Sequence, residues 1–131
     1  MPLLCCKKLF SMSKKTLVLG ASNRSGRFSL LAIKSLVKHG VEVIAIGARP
    51  AEVEGVNILN YPVFPTDVHT VTLYLNRFKQ EQYIDYIIGL KPKRIIFNQG
   101  TENPELLKQA KANGIEVVFD CTLVMLNAGR Y

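Results

Sequence analysis

Short runs of consecutive apolar residues alternate along this chain with longer stretches in which apolar positions recur every three or four residues. That alternation predicts buried strands separated by amphipathic helices. Thr16-Leu17-Val18-Leu19 is the first apolar run, and it stops at Gly20. A loop of small residues follows, Ala21-Ser22-Asn23-Arg24-Ser25-Gly26. From Arg27 to His39, the residues Leu30, Leu31, Ala32, Ile33, Leu36 and Val37 fall at helical spacing, and Gly40 after Lys38-His39 reads as a C-terminal stop. Val41 to Ile46 is the second strand, apolar almost throughout, with Gly47 at its end. Ala48 to Pro65, which contains Pro50, Gly55 and Pro62, reads as loop, interrupted by a short edge strand near Val56–Leu59. His69 to Leu75 is a third main strand, and Lys79 to Leu90 a helix striped by Tyr83, Ile84, Ile87 and Ile88. Lys93 to Phe97 is the fourth strand. Asn103-Pro104-Glu105 then has the residues of a helix start: a cap, a proline at the first position and an acid in the first turn. That helix runs to Asn113-Gly114; Ile115 to Phe119 is the fifth strand, and Cys121 to Asn127 a short terminal helix.

Strands joined by helical crossovers give a parallel sheet. The expected fold is α/β: a Rossmann-like, doubly wound, five-stranded parallel sheet in the order 3-2-1-4-5, with helices on both faces. The whole chain has 131 residues, the size of one domain, and the pattern assigns residues 14–131 to it. Residues 1–13 read as a disordered extension. Met12-Ser13-Lys14-Lys15 resembles a start placed just before the first strand.

Charge changes this picture little. The net charge is +7, but Lys7, Lys8, Lys14 and Lys15 supply more than half of it ahead of the first strand, leaving 13 basic and 10 acidic side chains elsewhere. That excess is modest and comes with no RNA-binding aromatic motif, so nucleic acid is not expected; a polyphosphate pocket explains the mild basic bias equally well. No apolar run reaches the ~18 residues a membrane span needs. In the first dozen residues the apolar Leu3-Leu4-Cys5-Cys6 precedes Lys7-Lys8, the reverse of a secretory signal, and no glycine follows Met1 for myristoylation. The three cysteines, Cys5, Cys6 and Cys121, form no CxxC. They point to a reducing, cytoplasmic setting and away from a disulfide framework or zinc site.

The candidate chemistry lies at the first turn. In doubly wound sheets, ligands sit beyond the carboxyl ends of the strands where the strand order reverses. The Gly20–Gly26 turn lies there, its glycines matching the outer pair of a GxxGxxG turn with Asn23 in place of the middle one. Free N–H groups and the dipole of the following helix favour an anion. Ser22, Ser25 and Ser29 offer hydroxyls, and Arg24 and Arg27 offer bidentate phosphate contacts. An NAD site needs an acid after the second strand for the ribose hydroxyls. This chain has Ile46-Gly47-Ala48-Arg49 there. Arg49 suits a ribose phosphate, which NADP and coenzyme A both carry, or is simply a solvated loop arginine. Leu75-Asn76 and Asn98-Gln99-Gly100-Thr101 complete the crevice.

Lys15-Thr16-Leu17-Val18-Leu19-Gly20-Ala21-Ser22 with Arg27-Phe28-Ser29 resembles the stand-alone bacterial coenzyme A-binding domain proteins. These are similar to the N-terminal coenzyme A-binding domain of the succinyl-CoA synthetase alpha subunit. The resemblance continues through Val43–Gly47, His69–Leu75, Asn98–Asn103 and Asp120–Leu126, nearly the whole chain. It implies a Rossmann-like fold with coenzyme A, or an acyl-CoA, across the strand ends. Gly20, Ala21, Ser22 and Asn23 would hold the phosphates, with Arg27, Phe28 and Ser29 behind them. Gly47, Ala48 and Arg49 would lie beside the ribose phosphate or adenine, and Tyr74, Leu75 and Asn76 would line the adenine side. Family members often carry proline where this chain has Gln99, and Asn-Pro where it has Gly47-Ala48.

The resemblance does not import a reaction, since the synthetase's phosphorylated histidine belongs to a separate domain. His39 sits at a helix end, His69 at the start of a strand, and Cys121 has no histidine near it in sequence. Asp67, Glu102 and Asp120 form no recognisable acid–base pair. The expected function is therefore non-catalytic binding of coenzyme A or a related adenine nucleotide. The alternatives are an NADP-binding oxidoreductase-like domain or a ligand-free scaffold that binds a partner protein. Against an oxidoreductase, Tyr61, Tyr74, Tyr83 and Tyr86 are followed four residues on by Pro65, Phe78, Ile87 and Leu90, never by the lysine of a Tyr-x-x-x-Lys pair. An exposed edge strand leaves room for a homodimer.

Overall fold

The first strand, β1 (Thr16–Ala21), runs through the centre of the sheet with Thr16, Leu17, Val18 and Leu19 all buried. In chain order there follow α1 (Phe28–Lys38), β2 (Val43–Gly47), β3 (Ala51–Val53), β4 (Val56–Leu59), β5 (Thr70–Leu73), α2 (Arg77–Gln80), a 3-10 turn (Glu81–Tyr83), α3 (Ile84–Leu90), β6 (Arg94–Phe97), α4 (Pro104–Ala112), β7 (Glu116–Phe119) and α5 (Thr122–Asn127). This is a computed structural model, and it describes residues 14–131. The extension expected over residues 1–13, with Cys5 and Cys6, lies outside the described residues.

Successive side chains of a strand point to opposite faces. Along β1, Leu17 and Leu19 join a cluster with Val71, Leu73, Ile95 and Phe97, covered by Ile84 and Ile87 of α3 and Leu106 and Ala110 of α4. Val18 and Ala21 join the opposite cluster with Ala45 and Ile58, covered by Ile33 and Leu36 of α1 and Leu126 of α5. The sheet is thus doubly wound with helices on both faces. Helix ends follow the sequence signals. Asn103 caps α4 by accepting from the Glu105 and Leu106 amides at 3.2 and 3.3 Å, with Pro104 in the first turn, while Gly40 and Gly114 close the last turns of α1 and α4.

The strand count and order need correction. The sheet has seven strands, ordered β3-β4-β2-β1-β5-β6-β7, rather than five. Strand 70–73 was expected third in order, beside β2; it pairs instead with β1, in parallel, on the other side. Its expected place is taken by β4, which pairs parallel with β2. β3 folds back antiparallel on β4 through Val53↔Val56. The turn between them, Glu54-Gly55, has φ of 51° and 82°, the pair of positive values a tight type I′ hairpin requires. With β4 counted as third, the parallel strands read 3-2-1-4-5-6. The helix expected over Lys79–Leu90 starts earlier and is broken: Asn76 caps α2 by accepting from the Lys79 amide at 3.0 Å, and the 3-10 turn separates α2 from α3.

At the opposite, amino-terminal end of the strands, Thr70 Oγ1 lies 2.8 Å from His69 Nδ1 and accepts from Arg94 Nε at 2.7 Å. Burial holds the His69 ring below its ordinary pKa of 6.5, with the Arg94, Lys14 and Lys93 charges acting the same way and Glu116 opposing them. The folded state therefore disfavours the proton that the unfolded chain accepts near pH 6.5. Stability attributable to this residue is complete above that pH and falls as pH drops through it towards the lower folded value. Melting curves between pH 8 and pH 5 are expected to show a steeper loss for the wild type than for His69→Gln. Parallel curves for the two proteins would remove His69 as the cause.

Candidate functional site

The order reverses between β1 and β5: the chain winds outward from β1 through β2 to β4, then returns to β5 on the other side. The crevice at this point is built from strand-end segments. β1 ends on a bulge, with its register to β2 shifting between Leu19 and Ala21. The bulge is Gly20, at φ 98°; a Cβ there would stand 2.8 Å from the Tyr74 carbonyl carbon and 2.9 Å from its oxygen. The end of β5 is pressed against this glycine, and the Tyr74 amide donates to the Leu19 carbonyl at 2.8 Å. On the other side Gly47 is equally constrained, since a Cβ on it would lie 2.0 Å from the Ala21 carbonyl oxygen. Gly20 and Gly47 let three strand ends converge beneath the turn.

Beyond the bulge, Ser22 Oγ accepts from the Arg24 amide at 3.0 Å, and the Arg27 amide donates to the Arg24 carbonyl at 3.2 Å. The turn then enters α1 with Arg27 at the N-cap in extended conformation. No side chain caps the helix, and no acid lies in its first turn. Backbone donors and the positive end of an 11-residue helix thus face the crevice without a protein anion. Asn23, Arg24, Ser25, Gly26, Arg27 and Phe28 are exposed around it, and so are Ala48 and Arg49 after β2. The two ion pairs among the described residues, Lys15–Glu42 and Arg130–Asp120, involve none of these three arginines.

The structure therefore gathers Gly20, Ala21, Ser22, Asn23, Arg24, Arg27, Phe28, Gly47, Ala48, Arg49, Tyr74, Leu75, Asn76, Asn98 and Gly100 around one end of the sheet. It sorts them by role. Ser29 is 4% exposed and lies under the helix start. Ala21 is buried. Leu75 packs against one core cluster and Tyr74 against the other. Asn76 is the cap of α2. Asn98 is committed to the fold: its Nδ2 donates to Thr72 Oγ1 at 2.7 Å and to the Leu73 carbonyl at 2.9 Å, and its Oδ1 accepts from the Thr122 amide at 2.9 Å. It ties β6 to β5 and to the start of α5. Gly100 stays exposed at φ 87°.

Sequence reasoning did not single out Thr72 and Thr122, which with Asn98 and Thr101 hold this floor together. Thr72 and Thr122 bond each other through their hydroxyls at 2.8 Å, and Thr101 Oγ1 donates to the Asn98 carbonyl at 2.7 Å. Burial pushes the Tyr74 phenol up to about 12, only partly offset by the Thr72 and Thr122 hydroxyls beside it. The Tyr74 hydroxyl itself makes no hydrogen bond among the described residues. It remains neutral at physiological pH. Thr72 lies in a β-rich run and reads simply as a strand former, and Thr122 falls within the expected terminal helix, so no signal in the sequence set these two apart.

Both histidines lie away from the crevice, and Asp120 is paired. His39 bonds the Ser35 carbonyl at 2.7 Å at the far end of α1, and His69 immediately precedes β5; both are at the opposite end of the sheet from the crevice. Asp120 pairs with Arg130 at 2.7 Å, and the Arg130 hydrogen bond holds its carboxyl below the usual range. Cys121 is half-buried at the cap position of α5. Among the described residues no three His, Cys, Asp or Glu side chains cluster as metal ligands, and no helix is long and apolar enough to cross a membrane.

Among known structures, one crystal structure of an uncharacterized protein is 49% identical, with a TM-score of 0.87 over 90% of this chain and 98% of that one. A hypothetical protein from Pyrococcus horikoshii shares the fold at 22% identity, TM-score 0.77, covering 95% and 89% of the two chains. A Thermus thermophilus structure does so at 17% identity, TM-score 0.75, over 100% and 99%. No curated protein matches the chain. The model of a family described as CoA binding domain matches residues 14–127. That match spans the whole of the Rossmann-like sheet, and the chain belongs to the CoA binding domain family.

Proposed function

We propose that this protein binds coenzyme A, or an acyl-CoA, at the Gly20–Gly26 turn and holds it without transforming it. The observation that carries this reading is the uncapped start of α1, which opens beneath Arg24 and Arg27 with no acid in its first turn. Such an end is complementary to a pyrophosphate. Arg49 stands beyond β2 where the extra ribose phosphate of coenzyme A needs a cation, and the end of β2 holds no acid to meet the free ribose hydroxyls of NAD. Non-catalytic binding is favoured by the placement of both histidines at the far end of the sheet and by the pairing of Asp120 with Arg130. The ligand is then stored, sensed or presented to a partner protein that supplies the chemistry.

A ligand that binds only the folded state raises the melting temperature by mass action, adding about 2.7 kcal/mol at a hundredfold excess over its dissociation constant. Coenzyme A and acetyl-CoA are expected to raise the melting temperature at millimolar concentration, while NADP and ATP shift it less. A shift with NADP and none with coenzyme A or acetyl-CoA would replace this reading with the oxidoreductase-like one.

A further inference from the structure

Gln80 ends α2, a four-residue helix on the rim of the crevice, and is fully buried at 0% exposure. Its Nε2 donates to the Leu75 carbonyl at 2.7 Å and to the Thr101 carbonyl at 2.7 Å. Its Oε1 accepts from Asn103 Nδ2 at 2.9 Å. Both amide hydrogens are used, one on the segment after β5 and one on the segment after β6. Neither segment is tied to the other by strand pairing, because the β5–β6 ladder ends at Leu73↔Phe97. Asn103 extends the link into α4, whose first turn it caps with its other amide atom. Asn76 anchors the start of the helix that carries Gln80. An isolated buried amide is costly, and one with its donors and acceptor engaged fixes geometry.

We infer that Gln80 is a positioning residue for the crevice: one side-chain amide clamps Tyr74–Asn76 to Asn98–Glu102, so that two walls of the binding site are ordered before the ligand arrives. This rests on the coenzyme A reading above. Preordered walls spare the complex the entropy of fixing them, and that saving appears as affinity. The role is distinct from packing, because an apolar side chain of the same length fills the volume but leaves two carbonyls free to part.

The test is calorimetric titration with coenzyme A of the wild type, Gln80→Met and Gln80→Glu, with the folded fraction of each ligand-free protein measured by circular dichroism at the same temperature. Gln80→Met is expected to weaken affinity about tenfold after correction for the folded fraction, because the two released walls must then be ordered when the ligand binds. Ligand-free Gln80→Met should also exchange the amides of residues 75–76 and 99–101 faster than the wild type, with protection returning at saturating coenzyme A. In Gln80→Glu, lowering the pH regenerates one donor on the carboxyl. Its affinity relative to the wild type at the same pH should therefore recover in part, while that of Gln80→Met should not. Should Gln80→Met fail to fold, Gln80→Glu at neutral pH, which lacks both amide donors, takes its place. A folded Gln80→Met, or in its absence a folded Gln80→Glu at neutral pH, with wild-type affinity overturns the positioning role and leaves the coenzyme A reading standing. A wild type that does not bind coenzyme A overturns both.

Discussion

Gly47→Ala is expected to lower the stability of this protein by about 3 kcal/mol, an unusually large loss for one methyl group at the end of a strand. The added carbon would lie 2.0 Å from the Ala21 carbonyl oxygen, 3.0 Å from its carbonyl carbon and 3.1 Å from a methyl of Ile58. Two of these three neighbours are backbone, which cannot rotate away as a flexible side chain does. The ends of β1 and β2 must separate, and the Ala21↔Gly47 pairing at the bulge must give way. Gly26→Ala is the control. It has nothing within 4 Å of the added carbon but a φ of 88°, so it carries only the left-handed backbone cost of about 1–2 kcal/mol. Urea denaturation of the three proteins, compared at constant slope, separates the two effects. A Gly47→Ala protein no less stable than Gly26→Ala would mean that β1 and β2 do not approach so closely. Because both strand ends support the phosphate turn, the same substitution should also weaken ligand binding.

The double variant Arg24→Glu/Arg27→Glu is expected to lose coenzyme A affinity by at least about a hundredfold, while its ligand-free melting temperature stays level or rises. Each charge-assisted hydrogen bond to a phosphate is worth roughly 1.5–3 kcal/mol, and reversal adds repulsion to the loss of two. Both arginines are exposed and form no ion pair among the described residues, so the fold loses nothing when they change. Glutamates at the uncapped start of α1 also favour the helix dipole. Opposite signs for stability and affinity distinguish a binding role from a structural one. Titration at two salt concentrations adds a second check, since affinity carried by these charges weakens as salt rises. Unchanged affinity in this variant would move the phosphate site away from the turn.

Much of this was legible in the chain itself. The run Thr16–Leu19, the spaced apolar residues of α1 and the Asn103-Pro104 start of α4 reflect local physics: side-chain periodicity, backbone propensity and capping. Each of these elements appears where its residues place it. The glycine turn was legible for the same reason, because its position after the first strand and its small residues are local properties. Partner choice among strands is not local. β4 was read as a short edge strand interrupting a loop, and β3 was not read at all, because Glu54-Gly55 is a weaker hairpin signal than Asn-Gly or Asp-Gly. Once the hairpin forms, β3 takes the edge, β4 lies between it and β2, and β5 is left to pair with β1.

The same division runs through the site. The sequence alone determined the α/β class, the phosphate-favouring turn at Gly20–Gly26, the three arginines near it and the lack of an acid after the second strand. Only the tertiary structure decided that Asn98 braces the fold, that Ser29 is buried, that Thr72 and Thr122 bond each other in the floor, and that Gln80 links the segments after β5 and β6. Composition and spacing record what a residue can do with its near neighbours. Whether an amide meets solvent, a ligand or two carbonyls from distant loops depends on which strand ends the fold brings together.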